Sequence, residues 1–600
     1  MRVSDYIANK LVEFGIHHVF MLTGGGSMFL NYSISVHPKI KTVYNHHEQA
    51  CAIAAEGYAR ITNTPGVLNV TTGPGGINAL NGVYGAYTDS IPMLILSGQV
   101  KRETYIRTYN LPNLRQLGDQ EVDIVSMVQG ITKYAITVTD PETIRYHLEK
   151  AWYLSQHGRP GPCWLDIPID VQSAQIDESS LPAFTVEKSN PADVTFLVNS
   201  VGKTLDHLQN SNRPVILAGT GVRLSNAVDI LNEVVGKLGI PVTTGWTHDL
   251  IDSDSPVFCG RPGTIGTRPG NFAVQNSDTL LIIGSRLNIR QTGYAFKSFA
   301  RAAYKIWVDV DEAELQRPTV RPDFPIVEDA KAFLEEMNRQ LDESQWEKDK
   351  FSEWLFWCKE RQRRYPAVLP KHREFSGKIN PYHFIEILFD QLEETDVVVT
   401  GNATACIVTF QVAKLKLGQR LFSNSGSASM GYDLPAAIGA AVAREDKRVI
   451  CLAGDGSLQM NIQELQTLKH LNLPVKLFVL NNNGYLSIRN SQKGFFGMTF
   501  GESSGSGVSF PNFMTLARAY GLNYVKLDMQ NFGPVLQEVL DTPGPVLCEV
   551  ILDPDQGFEP RQSSRQLSDG RIVSAPLEDM FPFLDRPDLL ENLLIPPWED

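Results

Sequence analysis

The run Gly454-Asp455-Gly456-Ser457 is followed, one apolar stretch later, by Asn481-Asn482. Residues 448–453 read as a buried parallel strand, so the Gly-Asp-Gly turn falls at its carboxyl end, where open α/β sheets bind ligands. The two glycines let backbone N–H groups come close to phosphate oxygens. Asp455 supplies a hard anionic oxygen, and Asn482 a neutral one at the end of the next strand. Mg2+ asks for near-octahedral oxygen ligands and favours sites completed by phosphate and water. An Asp, an Asn amide, a backbone carbonyl and a diphosphate would meet that demand. Taken alone, Gly-Asp-Gly-Ser also reads as a plain strand-to-helix turn with Asp as the cap. The separation from Asn482 favours the metal.

Such a turn works only if parallel strands hold it, and three stretches of the chain alternate short β-branched runs with helical patterns. The expected fold is α/β, with three doubly wound parallel-sheet domains and a C-terminal tail. The first domain spans residues 1–175, with strands at 66–71, 92–99 and 163–167, followed by a polar linker at 173–193. The second spans 190–335 and opens on Pro214-Val215-Ile216-Leu217-Ala218, with further strands at 279–284 and 305–309. A charged, Trp-containing helical stretch at 342–364 bridges to the third domain, 375–555, with strands at 396–400, 448–453, 475–481 and 545–551. Residues 556–600, rich in Pro and charge, form the tail. A length of 600 residues agrees, since one domain takes roughly 100–200.

Composition narrows the partners. A formal charge of -13 argues against sequence-independent binding of nucleic acid and against a polybasic membrane surface. The seven cysteines, Cys51, Cys163, Cys259, Cys358, Cys406, Cys451 and Cys548, are scattered with no C-x-x-C pair. A zinc site or disulfide framework is not expected. No basic-then-apolar leader and no run of 18 apolar residues occurs. The reading is a reducing, cytoplasmic compartment.

The separation of Gly454-Asp455-Gly456 from Asn481-Asn482 resembles the thiamine-diphosphate signature, and a second match lies near the other end of the chain. Asn45-His46-His47-Glu48-Gln49-Ala50, with Glu56-Gly57-Tyr58-Ala59-Arg60 behind it, resembles the pyrimidine-binding domain of the acetolactate synthase family. Gly73-Pro74-Gly75-Gly76-Ile77-Asn78, Asp89-Ser90-Ile91-Pro92-Met93, Ser97-Gly98-Gln99-Val100, Gln120-Glu121-Val122-Asp123-Ile124 and the segment 427–440 follow in that family's order. The resemblance covers about residues 1–555. It implies that Asp455, Asn482 and the carbonyl of Gly484 bind Mg2+. Gly454, Gly456, Ser457 and Asn482 would contact the cofactor, as would Pro74, Asn78 and Asn402. Met430 and Ile488 would support its bent conformation.

By the same resemblance Glu48 hydrogen-bonds the aminopyrimidine ring. That contact favours the imino tautomer, whose nitrogen takes the thiazolium proton. A carboxyl with this task should be buried, with a raised pKa. Gln120 is carried over as a residue reaching the active site. Read singly, Glu48 is a surface residue at a helix N-terminus, and Met430 is core packing. In the family, Glu48 and the metal site come from different subunits. A homodimer or dimer of dimers, with active sites at the subunit interface, is therefore expected.

In the middle domain, Gly284-Ser285-Arg286-Leu287-Asn288-Ile289-Arg290 resembles a segment of the flavin-containing members, departing from it at Leu287 and Asn288. Arg286 and Arg290 suit a dinucleotide pyrophosphate by bidentate pairing. FAD is expected there in a structural role, the alternative being a domain that binds nothing.

The reaction follows from the family and from departures within it. A 2-oxo acid, pyruvate by family default, would be decarboxylated and its activated aldehyde passed to a carbonyl acceptor. Tandem histidines of decarboxylases are missing at Pro112-Asn113-Leu114-Arg115. Asp119 replaces a Phe of the family pattern, and Ser491 replaces the Trp that restricts the acceptor site. A larger, hydroxyl-rich acceptor such as a keto sugar, free or nucleotide-linked, is the expectation. Arg561, Arg565 and Arg571 in the tail would then reach a diphosphate, or simply be solvated. Hydrolysis of a cyclic 1,2-diketone is the alternative on the same fold, and a non-catalytic subunit is a further one. The presence of Glu48, Asp455 and Asn482 argues against the last.

Overall fold

A computed structural model of the chain describes residues 1–109, 111, 113–186, 194–245, 249–374, 377–566 and 569–598. Pro112, most of the linker's second half and the side chain of Arg565 lie outside the described residues.

Long β-branched runs bury both faces of their strands, which is how parallel sheets covered by helices read. Six such strands form the first sheet: β1 His18–Met21, β2 Lys41–Tyr44, β3 Gly66–Val70, β4 Met93–Gln99, β5 Tyr134–Thr137 and β6 Pro162–Pro168. Their order is β2-β1-β3-β4-β6-β5, every pair parallel. The second sheet has β7 Pro214–Ala218, β8 Val242–Thr244, β9 Thr279–Ile283, β10 Tyr304–Asp309 and β11 Phe324–Val327, in the order β11-β10-β9-β7-β8. The third has β12 Val397–Thr400, β13 Arg420–Phe422, β14 Val449–Gly454, β15 Val475–Asn481, β16 Asn523–Leu527 and β17 Val546–Ile551. Its order, β13-β12-β14-β15-β17-β16, repeats that of the first sheet strand for strand. The winding reverses between β1 and β3, β7 and β9, and β12 and β14, and in the first and third sheets again where β6 and β17 return inside β5 and β16. A crevice opens at the carboxyl ends of the strands at such switch points.

The alternation along β14 shows how the third domain is covered on both faces. Ile450 and Leu452 enter one apolar core with Phe478 and Leu480, while Val449, Cys451 and Ala453 enter the other with Leu477 and Val479. All seven cysteines are buried and unpaired. Cys451 behaves as the small buried hydrophobe its neighbours suggested.

Three organisational expectations shift. The first half of the linker belongs to the first domain, because Ile176 and Leu181 are buried in its core and Ile176 N–H bonds the Met1 carbonyl. The middle core continues past residue 335, since helix Ala330–Glu343 buries Met337 and Leu341 in it. The bridge at 342–364 is two pieces. That helix ends at Glu343, and a new one, Ser352–Arg364, begins after Trp346 has donated Nε1–H to the Leu238 carbonyl. The tail packs along the middle domain: Glu578 meets Arg301 at 2.7 Å and Gln275 at 2.5 Å, and Asn592 accepts from Arg361 at 3.0 Å.

Helix Glu48–Thr62 of the first domain lies against helix Asp433–Arg444 of the third. Small residues permit the approach: a Cβ on Gly57 would collide with the backbone of Ala436, and one on Gly439 with that of Ala54. Among the described residues no helix is long and apolar enough to cross a membrane.

Candidate active site

Asp455 follows the last residue of β14, and Asn482 follows the last residue of β15. Both are buried. One carboxylate oxygen of Asp455 accepts from Gly456 N–H at 2.8 Å and the other from Gly484 N–H at 2.9 Å. Burial pushes its carboxyl up to about 6. Gly484 itself has φ +141, a conformation that favours glycine, and a Cβ there would strike the Arg489 guanidinium and Glu502. Asn482, only 5% exposed, donates Nδ2–H to the Thr404 hydroxyl at 3.1 Å, and its Oδ1 is buried with no hydrogen-bond partner.

An unsatisfied buried carbonyl oxygen costs about 1–3 kcal/mol. Beside a carboxylate at a switch-point crevice, it fits a hard cation. No cluster of three or more His, Cys, Asp and Glu side chains that would hold a metal occurs among the described residues. The donor set suggested here contains one carboxylate, one amide and one carbonyl, the kind that leaves positions for phosphate and water.

Asn402 stands at the amino end of helix Ala403–Val412, across the switch point from Gly454, and bonds the Ala428 carbonyl at 3.3 Å. Thr404, which sequence reading missed, lies two residues on. Ser457 is occupied within the protein: its hydroxyl donates to Asp433 at 2.6 Å and accepts from Gly431 N–H at 2.9 Å. These bonds tie the turn to Met430, which is half-buried, so Ser457 orders the segment through its side chain. Asp433 was also missed; burial raises it to about 6. Ile488, 47% exposed, and Ser491 project from helix Leu486–Phe496, three residues apart and so on one face.

The second group of residues gathers on the first sheet. Glu48 opens its helix behind His47, whose ring accepts from Gln49 N–H, and it is buried as expected. It accepts from Asn78 Nδ2 at 3.0 Å. Asn78 belongs to helix Pro74–Asp89, entered at the switch point between β1 and β3. Pro74 and Gln120 are exposed, and Gln120 has φ +59, with its carbonyl against Gly73. Glu464, another residue the sequence did not flag, accepts from Asn45 Nδ2 at 2.9 Å and His46 N–H at 3.0 Å, setting the Glu48 helix against the third domain.

Among the described residues no hydrogen bond or ion pair joins Glu48 to Asp455 or Asn482. The exposed faces of Pro74 and Asn78, and of Ile488 and Ser491, are open on one chain.

A cavity of about 410 Å3 occupies the switch point of the middle sheet, lined by Gly219, Gly221, Gly284, Arg286 and Asp309 among others. The backbones of Gly221 and Gly284 approach each other closely there and leave no room for a side chain between them. Burial raises the Asp309 carboxyl to about 6. Arg286 reaches Asp89 of the first domain at 3.5 Å. Arg290 is exposed and lines a smaller neighbouring pocket, so the two arginines do not face a single cavity. In the tail, Arg571 pairs with Asp569 and Arg561 stacks on Phe581.

Three family descriptions match in the order of the domains. They are the thiamine pyrophosphate enzyme N-terminal TPP binding domain over residues 1–127, the central domain over 201–337 and the C-terminal TPP binding domain over 400–550. The chain is 31% identical over 567 residues to acetolactate synthase 3, chloroplastic, of Brassica napus, covering 91% of this chain and 83% of that protein. It is 32% identical over 559 residues to the acetolactate synthase large subunit of Porphyra purpurea, covering 91% of each. It is 30% identical over 566 residues to that of Cyanidium caldarium, covering 92% of this chain and 94% of that protein. With two thiamine pyrophosphate-binding domains flanking a central one, this chain belongs to the acetolactate synthase-like family of thiamine-diphosphate-dependent enzymes.

Proposed function

We propose that the protein is a carboligase that decarboxylates a 2-oxo acid, pyruvate in the first instance, and joins the resulting aldehyde unit to a carbonyl acceptor. The observation that carries this reading is the buried, unpartnered Oδ1 of Asn482 beside Asp455 at the end of β14. Asp455, Asn482 and the Gly484 carbonyl would hold Mg2+, with the diphosphate at Gly454 and Gly456. When bound, thiamine diphosphate supplies the electron sink for a carbanion next to a carbonyl. Glu48, buried and held by the Asn78 amide, would hydrogen-bond the pyrimidine ring through its carboxyl. Met430 and Ile488 would support the cofactor.

The exposure of Pro74 and Asn78 beside Glu48, and of Ile488 and Ser491 beside the metal site, supports an active site completed by a second copy in a homodimer or dimer of dimers. The middle cavity supports FAD in a structural role, with Arg286 and Asp309 on its walls. Ser491, exposed beside Ile488 where the family has Trp, supports an acceptor larger and more polar than a second 2-oxo acid, such as a keto sugar. The compartment is taken as cytoplasmic.

The test is incubation with thiamine diphosphate, Mg2+ and labelled pyruvate, with and without aldehydes, ketones and keto sugars, following CO2 and coupled products. CO2 release that rises with an added ketone and disappears in Glu48→Gln supports the reading. Absence of coupled product with every acceptor, cofactor being bound, rejects it.

A further inference from the structure

Arg489 is buried on the helix Leu486–Phe496 that follows the candidate metal loop, and each of its guanidinium nitrogens is committed. Nε donates to Glu502 Oε2 at 2.8 Å, Nη1 to the Pro554 carbonyl at 2.9 Å and Nη2 to the Asn483 carbonyl at 2.8 Å. One side chain thus joins the metal loop, residues 500–506 beyond the helix, and the exit from β17. Glu502, 3% exposed, is held in turn: Ser503 Oγ donates to its other carboxylate oxygen at 2.7 Å, and its own N–H donates to Ser506 Oγ at 2.9 Å. A buried ion pair often contributes little to stability, so bracing alone is a weak reason for this one.

The contacts fall on two consecutive peptide groups. The first joins Asn483 to Gly484: Arg489 holds its carbonyl, and Asp455 Oδ2 accepts from its N–H at 2.9 Å. The second joins Gly484 to Tyr485, and its N–H donates to the Glu502 carbonyl at 2.9 Å. In a trans peptide, as here, the C=O points opposite to the N–H. The Gly484 carbonyl, the third ligand proposed for Mg2+, is therefore turned away from Glu502 by bonds that it does not make itself. The pair sits directly against that turn, since a Cβ on Gly484 would collide with both Arg489 and Glu502.

We propose that Arg489 and Glu502 are a positioning pair that fixes the direction of the Gly484 carbonyl and thereby sets the site's preference for Mg2+. The inference rests on the metal reading of Asp455 and Asn482. Charge alone predicts the reverse of positioning. Arg489 is a cation beside a cation site, so removing it and leaving the Glu502 carboxylate should tighten metal binding. Loss of positioning should weaken binding, and weaken Mg2+ most, because Mg2+ demands near-ideal octahedral geometry whereas Ca2+ accepts irregular oxygen sets.

The test is calorimetric titration of Mg2+ or Ca2+ into the metal-free full chain with thiamine diphosphate present. Arg489→Met should raise the Kd for Mg2+ about tenfold or more, and that for Ca2+ by distinctly less. Arg489→Lys keeps the charge but loses the fork, so its Mg2+ affinity should fall between those of wild type and Arg489→Met. The lysine variant carries the test alone if Arg489→Met does not fold. Gln492 pairs both ways with the Phe500 backbone, at 2.9 and 2.8 Å, so residues 500–506 keep a second anchor in either variant. Mg2+ bound by the variants as tightly as by wild type, or Mg2+ and Ca2+ weakened alike, overturns the proposal. Failure of the metal reading would appear in wild type itself, which would then take up neither cation.

Discussion

The Nδ2–H of Asn482 is held by the Thr404 hydroxyl at 3.1 Å, and this bond fixes which way the amide points. Turned over, the amide would aim its NH2 into the place proposed for Mg2+, where a donor repels a cation. Thr404 therefore acts on a metal it need not touch. Thr404→Val keeps the shape and removes the bond. The Mg2+ concentration for half activation should rise about 10-fold or more, as outer-shell losses do at metal sites, with activity recovered at high Mg2+. An unchanged Mg2+ titration would dissociate Thr404 from the metal.

Asp455 gives a pH dependence to the same site. Burial lifts its carboxyl to about 6, so without a cation it is increasingly protonated as pH falls below that value. A ligand must be ionised to bind a metal, and proton and Mg2+ compete for it. Apparent Mg2+ affinity should be flat above pH 7 and fall toward tenfold per unit below about 6. Asp455→Asn should bind Mg2+ weakly at every pH and show no such slope, measured by calorimetric titration.

Asp166 in the first domain predicts an effect on stability instead. It is fully buried on β6, accepting from Ser97, Gln99 and Thr137, and burial raises it to about 7. The unfolded carboxyl has a pKa near 3.9. Between about pH 4 and 7 the folded chain thus holds a proton that the unfolded chain has released. Stability falls as pH rises through that window, by at most on the order of 4 kcal/mol. Asp166→Asn, the shape of the protonated acid, should flatten that slope in denaturant unfolding. A slope unchanged by the substitution would mean that Asp166 titrates normally.

The interface between the first and third domains should be intolerant of one methyl group. Gly57→Ala places a Cβ against the Ala436 backbone, which cannot swing aside as a flexible side chain would. Overpacking of this kind costs about 1–3 kcal/mol. A lower unfolding midpoint is expected, whereas Gly236→Ala, with nothing within 4 Å, should be neutral or slightly stabilising. Equal effects of the two would show that the helices part easily.

Certain features of this protein were present in the sequence because they are local. The β-branched runs ending at Ala453 and Asn481 became β14 and β15, offset by at most one residue, since short, largely apolar runs rich in β-branched residues and bounded by turn residues suit strands buried on both faces. The spacing that carried Asp455 and Asn482 onto adjacent strand ends was likewise readable, as was Glu48 at a helix start. Tertiary structure decided whatever depended on which distant segments meet. Arg286 and Arg290 look like one phosphate clamp four residues apart, yet they line different pockets. Ser457 reads locally as a turn residue, and only the fold brings Asp433 to accept from its hydroxyl. Glu464 and Thr404 carry no local mark, and they matter only because Asn45 and Asn482 arrive beside them. Arg261 is an ordinary cation in the sequence; the fold buries it, and among the described residues no carboxylate pairs with it. Period and spacing record how a segment meets its own neighbours, but burial and the pairing of a polar group are settled only when all the surrounding elements are in place.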